Sequence, residues 1–302
     1  MAQVKLFWQS KLVLLLVLPF TGASVVLQAH WWAVNDLPVA VWALVLSLLL
    51  GLMVLKLRAA TPYGSVTGAT ITAGLIFSTA TFTPAEAMAY APWHTALAPL
   101  LAVIVLTFLA TRLDRERKAQ RGMAERHEGR SAAQVAANLG VAGIVFSEFV
   151  QSRLLDSGWI RSAVQTPTIL FAAGLAALAE AAADTVAAEI GTALCRRPRI
   201  LTTLRPVESG TDGAVSLVGT LAGIASAAIV SAVGAGALGG GAAMFWISYA
   251  GGVFGLFFDS LLGATLEQRG WLNNDMVNFL STAGAAAFAL LLLVLLPHLG
   301  VG

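Results

Sequence analysis

The chain has 302 residues, 58% of them hydrophobic and 11% charged, with a formal net charge of +2 and a mean hydropathy of +0.80. A soluble domain carries about a quarter charged residues, so this composition excludes one and defines a multi-span membrane protein. The single cysteine, Cys195, excludes a disulfide framework and a cysteine-type metal cluster.

In chain order, apolar runs long enough to cross about 30 Å of hydrocarbon fall at 12–28, 38–55, 65–82, 95–111, 132–150, 168–190, 217–237, 243–263 and 277–297. The first exceeds a signal-peptide core and precedes no soluble domain, so it reads as a retained span. The expected fold is an all-α polytopic membrane helical bundle of about nine transmembrane helices, forming one integral membrane domain over 1–302. Thr166 followed by Pro167 reads as an N-cap and a first helical position. The pairs Gly64/Gly68, Gly219/Gly223 and Gly251/Gly255 have the spacing of close helix packing. The stretch "GAGALGGG" (234–241) reads as a flexible turn between spans.

The cations give an orientation. With the N-terminus in the cytoplasm, sixteen of the eighteen Lys and Arg residues fall on the inner side, and only Arg153 and Arg161 fall outside. That is a strong positive-inside pattern, which fits an odd span count. The run "RLDRERKAQRGMAERHEGR" (112–130) mixes both signs and reads as a solvated cytosolic helix and topology anchor, with one or two of its cations reaching inward.

The same topology gathers the unusual polar groups at the cytoplasmic edge. Asp184 and Glu189 lie towards the inner end of the sixth span, and Asp259 in "FFDSLLGAT" towards that of the eighth. Gln134 and Asn138 open the fifth span and "TPYGSVTG" the third, while "WLNNDMVNF" (271–279) opens the last. An aspartate at a helix centre in lipid costs about 2.5–3.5 kcal/mol, so Asp184 points to function. Glu180, one turn earlier on the same face, is open between a site role and a buried partner. No phosphate loop of the G-x-x-x-x-G-K-[ST] type is present. His30, His94 and His298 are predicted outside, leaving His127 in the charged loop. Carboxylates and amides without His or Cys suit a hard cation such as Mg²⁺. With arginines nearby, that combination describes a site for phosphate groups.

"DTVAAEIG", "GTDGAVSLVGTLAG", "FFDSLLGAT" and "GWLNNDMVNF", in this order and spacing, resemble the C-terminal half of plant and cyanobacterial phytyl-phosphate kinases. That integral membrane family also includes animal transmembrane proteins. The resemblance is dense from Ala176 to Leu280 and weaker over 61–150. It divides the chain into a family core, 61–297, and a variable two-span region, 1–58. It implies a kinase that converts an isoprenyl monophosphate to the diphosphate with a nucleoside triphosphate and Mg²⁺, with CTP the first choice of donor and ATP the second. Glu180 is not part of the family motif. No plastid transit peptide is recognisable, so a bacterial plasma membrane with a cytoplasmic site is expected; nucleic acid is not an expected partner.

An acceptor that is already a phosphate monoester has a second pKa of about 6 and is largely a dianion at neutral pH. It needs no general base, only suppression of repulsion and in-line positioning. On that reading Asp184, Glu189, Asp259 and Asp275 serve Mg²⁺ directly or through water. Asn274 and Asn278, one turn apart, hold metal or phosphate oxygens. Arg112 and Arg205 are phosphate clamps, Thr211, Asp212 and Gly213 form a turn over the nucleotide, and Gln134 and Asn138 contribute to substrate binding. Two rival readings are a prenyl-alcohol kinase or cytidylyltransferase-like enzyme using CTP, and a transporter or flippase of anionic lipids. Against the latter, no internal repeat is visible.

Overall fold

The computed structural model describes residues 7–80, 92–113, 129–163, 167–195 and 197–295. The helices are α1 (Phe7–Asn35), α2 (Leu37–Lys56), α3 (Pro62–Ala80), α4 (Leu97–Arg112), α5 (Ala132–Val145), α6 (Glu148–Asp156), α7 (Gly158–Ala163), α8 (Phe171–Leu194), α9 (Leu217–Ala237), α10 (Gly241–Leu262) and α11 (Asn274–Leu295). The strands among the described residues are β1 (Arg199–Ile200) and β2 (Ala214–Val215), paired antiparallel with Arg199 opposite Val215. The charged run falls mostly at 114–128, outside the described residues, as do Thr166, His127 and His298. Pro167 opens a 3₁₀ turn, Pro167–Leu170, that leads into α8.

Among the described residues, six helices are long and apolar enough to cross a membrane: α1, α2, α8 with its preceding turn, α9, α10 with the π turn Gly263–Glu267 that follows it, and α11. A seventh span forms if α5 and α6, bent by 48° at their junction, are one broken crossing. The chain is therefore a polytopic helical membrane protein. The other two predicted spans are also helices, but α4 has only 16 residues and α3 is rich in Thr and Gly. At the α5–α6 bend Ser147 Oγ donates to Ile144 O at 2.6 Å and Gln151 Nε2 to Val145 O at 2.6 Å. These side chains satisfy carbonyls that the bend frees, which is how broken helices are tolerated at membrane depth. "GAGALGGG" is more ordered than expected: α9 runs through Ala237 and a tight turn with positive φ at Gly239 and Gly241 starts α10.

The bundle is built around α8. Its most apolar window is 89% buried inside the protein, against 22–39% for the other five spans. The sequence explains this. The helix is alanine-rich, so it has high intrinsic helicity and a thin profile that lets neighbours approach closely. It packs against α4, α5, α9, α10 and α11. Gly219/Gly223 and Gly251/Gly255 meet it as their spacing predicts, whereas Gly64/Gly68 packs against Arg130 and Val135 instead. A Cβ at Gly223 would lie 2.7 Å from Ala183 O, and one at Gly251 would lie 2.7 Å from Ala176 Cβ. Gly255 abuts the Glu180 side chain. The carboxylates of α8 are therefore presented to α10 and α11 across close helix contacts.

Candidate active site

The C-terminal part of α8 turns one face, carrying Asp184, Ala187, Ala188 and Gly191, towards a cavity of about 210 Å³. These positions recur three or four residues apart, so they form a single stripe. α10 contributes Asp259 and Ser260, the π turn contributes Glu267, and α11 contributes Asn274 from its first turn. The remaining wall is the loop Ser209–Ser216 together with Thr220 of α9. All of these come from one end of the bundle.

The loop is held shut by its backbone. Leu201 N donates to Gly213 O at 3.2 Å and Gln268 Nε2 donates to Asp212 O at 2.7 Å. Gly213 has φ +68, and a Cβ there would collide with the backbone of Ala264, so only glycine lets the turn seat on the π turn. Thr211 Oγ1 donates to Glu208 O at 2.8 Å. Partial burial raises the Asp212 carboxyl above its ordinary value. Ser216 caps α9 by accepting from Gly219 N at 3.1 Å. The N-termini of α9 and α11 both border the cavity, and both bring partial positive charge to it.

Behind the wall the acids converge. Asp184 and Asp259 come within hydrogen-bonding reach of each other, Glu180 is close enough to act on both, and Ser281 lies beside Glu180 and Asp259. Glu180 is 1% exposed. Glu180 Oε1 and Asp259 Oδ2 are buried without a hydrogen-bond partner. Carboxylates at this spacing need counter-charge. One source is Arg130, whose charge acts on Asp184 and whose Nη2 donates to Thr185 Oγ1 at 3.3 Å. Arg130 is fixed by its own backbone: its N donates to Ala59 O at 3.0 Å and its O accepts from Thr61 N at 2.9 Å. The strap needs Gly129 at φ +78, where a Cβ would lie 2.6 Å from Ala60 N. Among the described residues, no three His, Cys, Asp or Glu side chains are arranged to enclose a metal ion by themselves.

Of the residues singled out in the sequence, Asp184, Asp259, Asn274, Thr211, Asp212 and Gly213 are brought together on the cavity wall. Glu189, Asn278 and Asp275 are not on that wall. Glu189 lies five residues beyond Asp184, about 140° round the helix. Gln134 forms a capping box with Ser131: Ser131 N donates to Gln134 Oε1 at 2.8 Å and Gln134 N to Ser131 Oγ at 3.3 Å. Asn138 is buried and donates to Gln134 O at 2.8 Å. Arg112 is exposed and lies over the Phe108 ring, 4.3 Å from its centroid. Arg205 is exposed in the loop, where its carbonyl accepts from Ile200 N at 3.0 Å. The residues not assigned from sequence are Arg130, Glu267 and Ser281.

The asparagine-rich stretch has two jobs. Asn273 caps α11, its Oδ1 accepting from Met276 N at 2.9 Å. It also docks α1: Gln9 Nε2 donates to Trp271 O at 2.9 Å, Asn273 N to Gln9 Oε1 at 2.8 Å, and Asn273 Nδ2 to Ser10 Oγ at 2.9 Å. Only its neighbour Asn274 reaches the cavity.

Fold and site together define a polytopic helical membrane protein with an oxygen-rich acidic cavity at one end of its bundle. The chain belongs to the family described as integral membrane protein DUF92, whose profile matches residues 45–286. It is 33% identical over 183 residues to an uncharacterized membrane protein of Methanocaldococcus jannaschii, covering 61% of this chain and 70% of that one. An uncharacterized membrane protein of Synechocystis is 30% identical over 205 residues, 63% of this chain and 71% of the relative. The chloroplastic protein VTE6 of Arabidopsis thaliana is 29% identical over 204 residues, 63% of this chain and 56% of the plant protein. No solved structure matches the chain.

Proposed function

We propose that this protein is a membrane-embedded kinase that converts an isoprenyl monophosphate to its diphosphate, with CTP as the favoured donor. The observation that carries the reading is the single cavity where Asp184, Asp259 and Glu267 meet the N-termini of α9 and α11. The motif resemblance to phytyl-phosphate kinases supports the substrate class. We extend the fold to nine crossings with the N-terminus in the cytoplasm of a bacterial cell, which puts the cavity on the cytoplasmic side.

The donor set is compatible with Mg²⁺. All the candidate ligands are oxygen atoms, and Asp259 has a buried oxygen with no partner. Mg²⁺ is commonly held by one or two carboxylates, with water and substrate phosphates completing its shell, so the lack of an all-protein cage is no obstacle. Asp184 and Asp259 would hold it, with Glu267 acting through water. When bound, the ion supplies charge neutralisation between two anionic substrates.

The chain's own groups do the rest. Helix N-termini and loop N–H groups hold the nucleotide phosphates, and Asn274 orients an oxygen beside them. The acceptor phosphate, largely a dianion at neutral pH, attacks the terminal phosphorus of the donor without surrendering a proton. An oxygen–phosphorus bond forms, the bond from that phosphorus to the bridging oxygen breaks, and the nucleoside diphosphate leaves with the bond electrons. No base is required, so the carboxylates of the cavity are left to serve the metal. Incubating purified protein with phytyl phosphate, labelled CTP and Mg²⁺ should give labelled phytyl diphosphate. Failure with CTP and ATP across prenyl phosphates of several lengths would overturn the reading.

A further inference from the structure

Arg130 also lines a second cavity, about 100 Å³ in volume, among α2, α3, α4, α5 and α8. Apart from Arg130, Asn138 and Thr72, its lining is aliphatic or glycine. The same residue whose guanidinium reaches Thr185 and acts on Asp184 thus lines an apolar chamber inside the bundle. Resting on the kinase reading, we propose that this chamber is the acceptor subsite: it receives the first isoprene units of the prenyl phosphate, and Arg130 holds the phosphate facing the acidic cavity.

Three features favour this occupant. The chamber asks for a molecule with a hydrocarbon body and an anionic head, because its charged lining residue is a cation and nearly everything else is apolar. The cation is positioned rather than free to snorkel, since the strap to Ala59 and Thr61 pins its backbone on both sides. A phosphate at that guanidinium lies beside Thr185 and within electrostatic reach of Asp184, and Asp184 lines the polar cavity, so the head would face the donor while the tail remains among the spans. Space for the tail comes at Gly68, where an added Cβ would meet Val135 Cγ1 at an ordinary 3.7 Å, whereas Gly51 and Gly64 are packed against Ala69 and the Arg130 backbone and close the chamber at its edges. The outer faces of α2 at Leu48, Leu49 and Leu52 are exposed, so only one helix separates the chamber from lipid, where the rest of the chain can extend.

The test uses the full-length protein in detergent or nanodiscs, with a prenyl phosphate carrying a diazirine on its first isoprene unit. Photolysis should label peptides from 62–80 and 132–145. Excess phytyl phosphate should suppress the labelling and excess phosphatidic acid should not. Suppression by both would mark a general lipid crevice and overturn the assignment, as would labelling confined to other helices. In Arg130→Gln, labelling by the phosphate probe should fall at least fivefold while labelling by the matching prenyl alcohol is retained; equal loss of both would remove Arg130 from the head-group role. Gly68→Leu, which fills the chamber, should raise the KM for phytyl phosphate at least tenfold and leave that for CTP within twofold. An unchanged acceptor KM in folded protein would overturn the proposal. The photolabel reads the chamber without turnover, so absence of kinase activity and absence of the subsite are separate results.

Discussion

Ser10 donates its hydroxyl to Asp275 Oδ2 at 2.5 Å, tying α1 to the first turn of α11 across 265 positions of sequence. Asp275 is thereby engaged on the side of α1 rather than on the cavity wall, although its charge is felt by Glu267. Ser10 is 7% exposed, and it also accepts from Asn273. Removing its hydroxyl takes a donor from the Asp275 carboxylate and an acceptor from the Asn273 amide. Ser10→Ala should lower stability by about 1–3 kcal/mol, read as a reduced melting temperature in detergent. Turnover per folded molecule should stay within threefold of the unaltered protein. A collapse of turnover with unchanged melting would instead make the α1–α11 contact part of the chemistry.

Asp184→Asn and Asp259→Asn keep shape and remove charge from a cluster of like charges. Each should abolish phosphoryl transfer, a loss of at least about a hundredfold or roughly 2.7 kcal/mol in transition-state stabilisation. Melting temperature should hold or rise in Asp259→Asn, because relieving repulsion among buried acids favours the folded state, whereas Asp184→Asn also forfeits its attraction to Arg130 and should melt somewhat lower. If both variants melted early and kept their specific activity, the carboxylates would be structural.

How far the sequence carries to this site depends on the residue. An aspartate inside an apolar alanine-rich helix is conspicuous, so Asp184 was legible, and with it the face shared by Asp259. The turn Thr211–Gly213 was marked by the motif "GTDGAVSLVGTLAG". Arg130 was hidden in a run of mixed charge, where periodicity carries no information about which cation turns inward. Glu267 was hidden because "GATLEQRG" reads as a connection, whereas a π turn carries it back over the cavity. Gln134 had the opposite problem. "SAAQ" is a capping box, a local signal that outweighs its proximity to polar neighbours. The α1 docking by Gln9 and Ser10 had no local signal, since it is purely a tertiary contact.

The orientation can be read directly. In a Cys195→Ser background, which removes the one native thiol, single cysteines at Asn35 and Thr203 both stand at exposed positions. The positive-inside pattern expects Asn35→Cys to react with an impermeant maleimide in intact cells and Thr203→Cys to react only after permeabilisation. The reverse labelling would move the cavity to the outer face, where cytosolic nucleotides are absent.

The last prediction concerns the two asparagines that share a face of α11. Asn274 lines the acidic cavity. Asn278 follows one turn later, and Ser281, which lies beside Glu180 and Asp259, follows within another turn, so the three form a stripe running from the cavity towards the buried acids. Asn278 uses its carbonyl to accept from Ser281 Oγ at 3.0 Å and Thr282 Oγ1 at 2.9 Å, which leaves the role of its amide side chain to be tested. Asn274 is exposed, so Asn274→Ala should cost little stability. Asn278→Leu suits a membrane interior at least as well as the native residue, and the protein should melt no lower. If the amides orient phosphate or a metal-bound water, each variant should lose at least about tenfold in turnover, corresponding to roughly 1.4 kcal/mol. Melting temperature and prenyl diphosphate formation should be measured on the same preparations. Full activity in both variants would reduce the stretch to the cap that Asn273 already provides, and loss in Asn274→Ala alone would confine the site to the cavity wall.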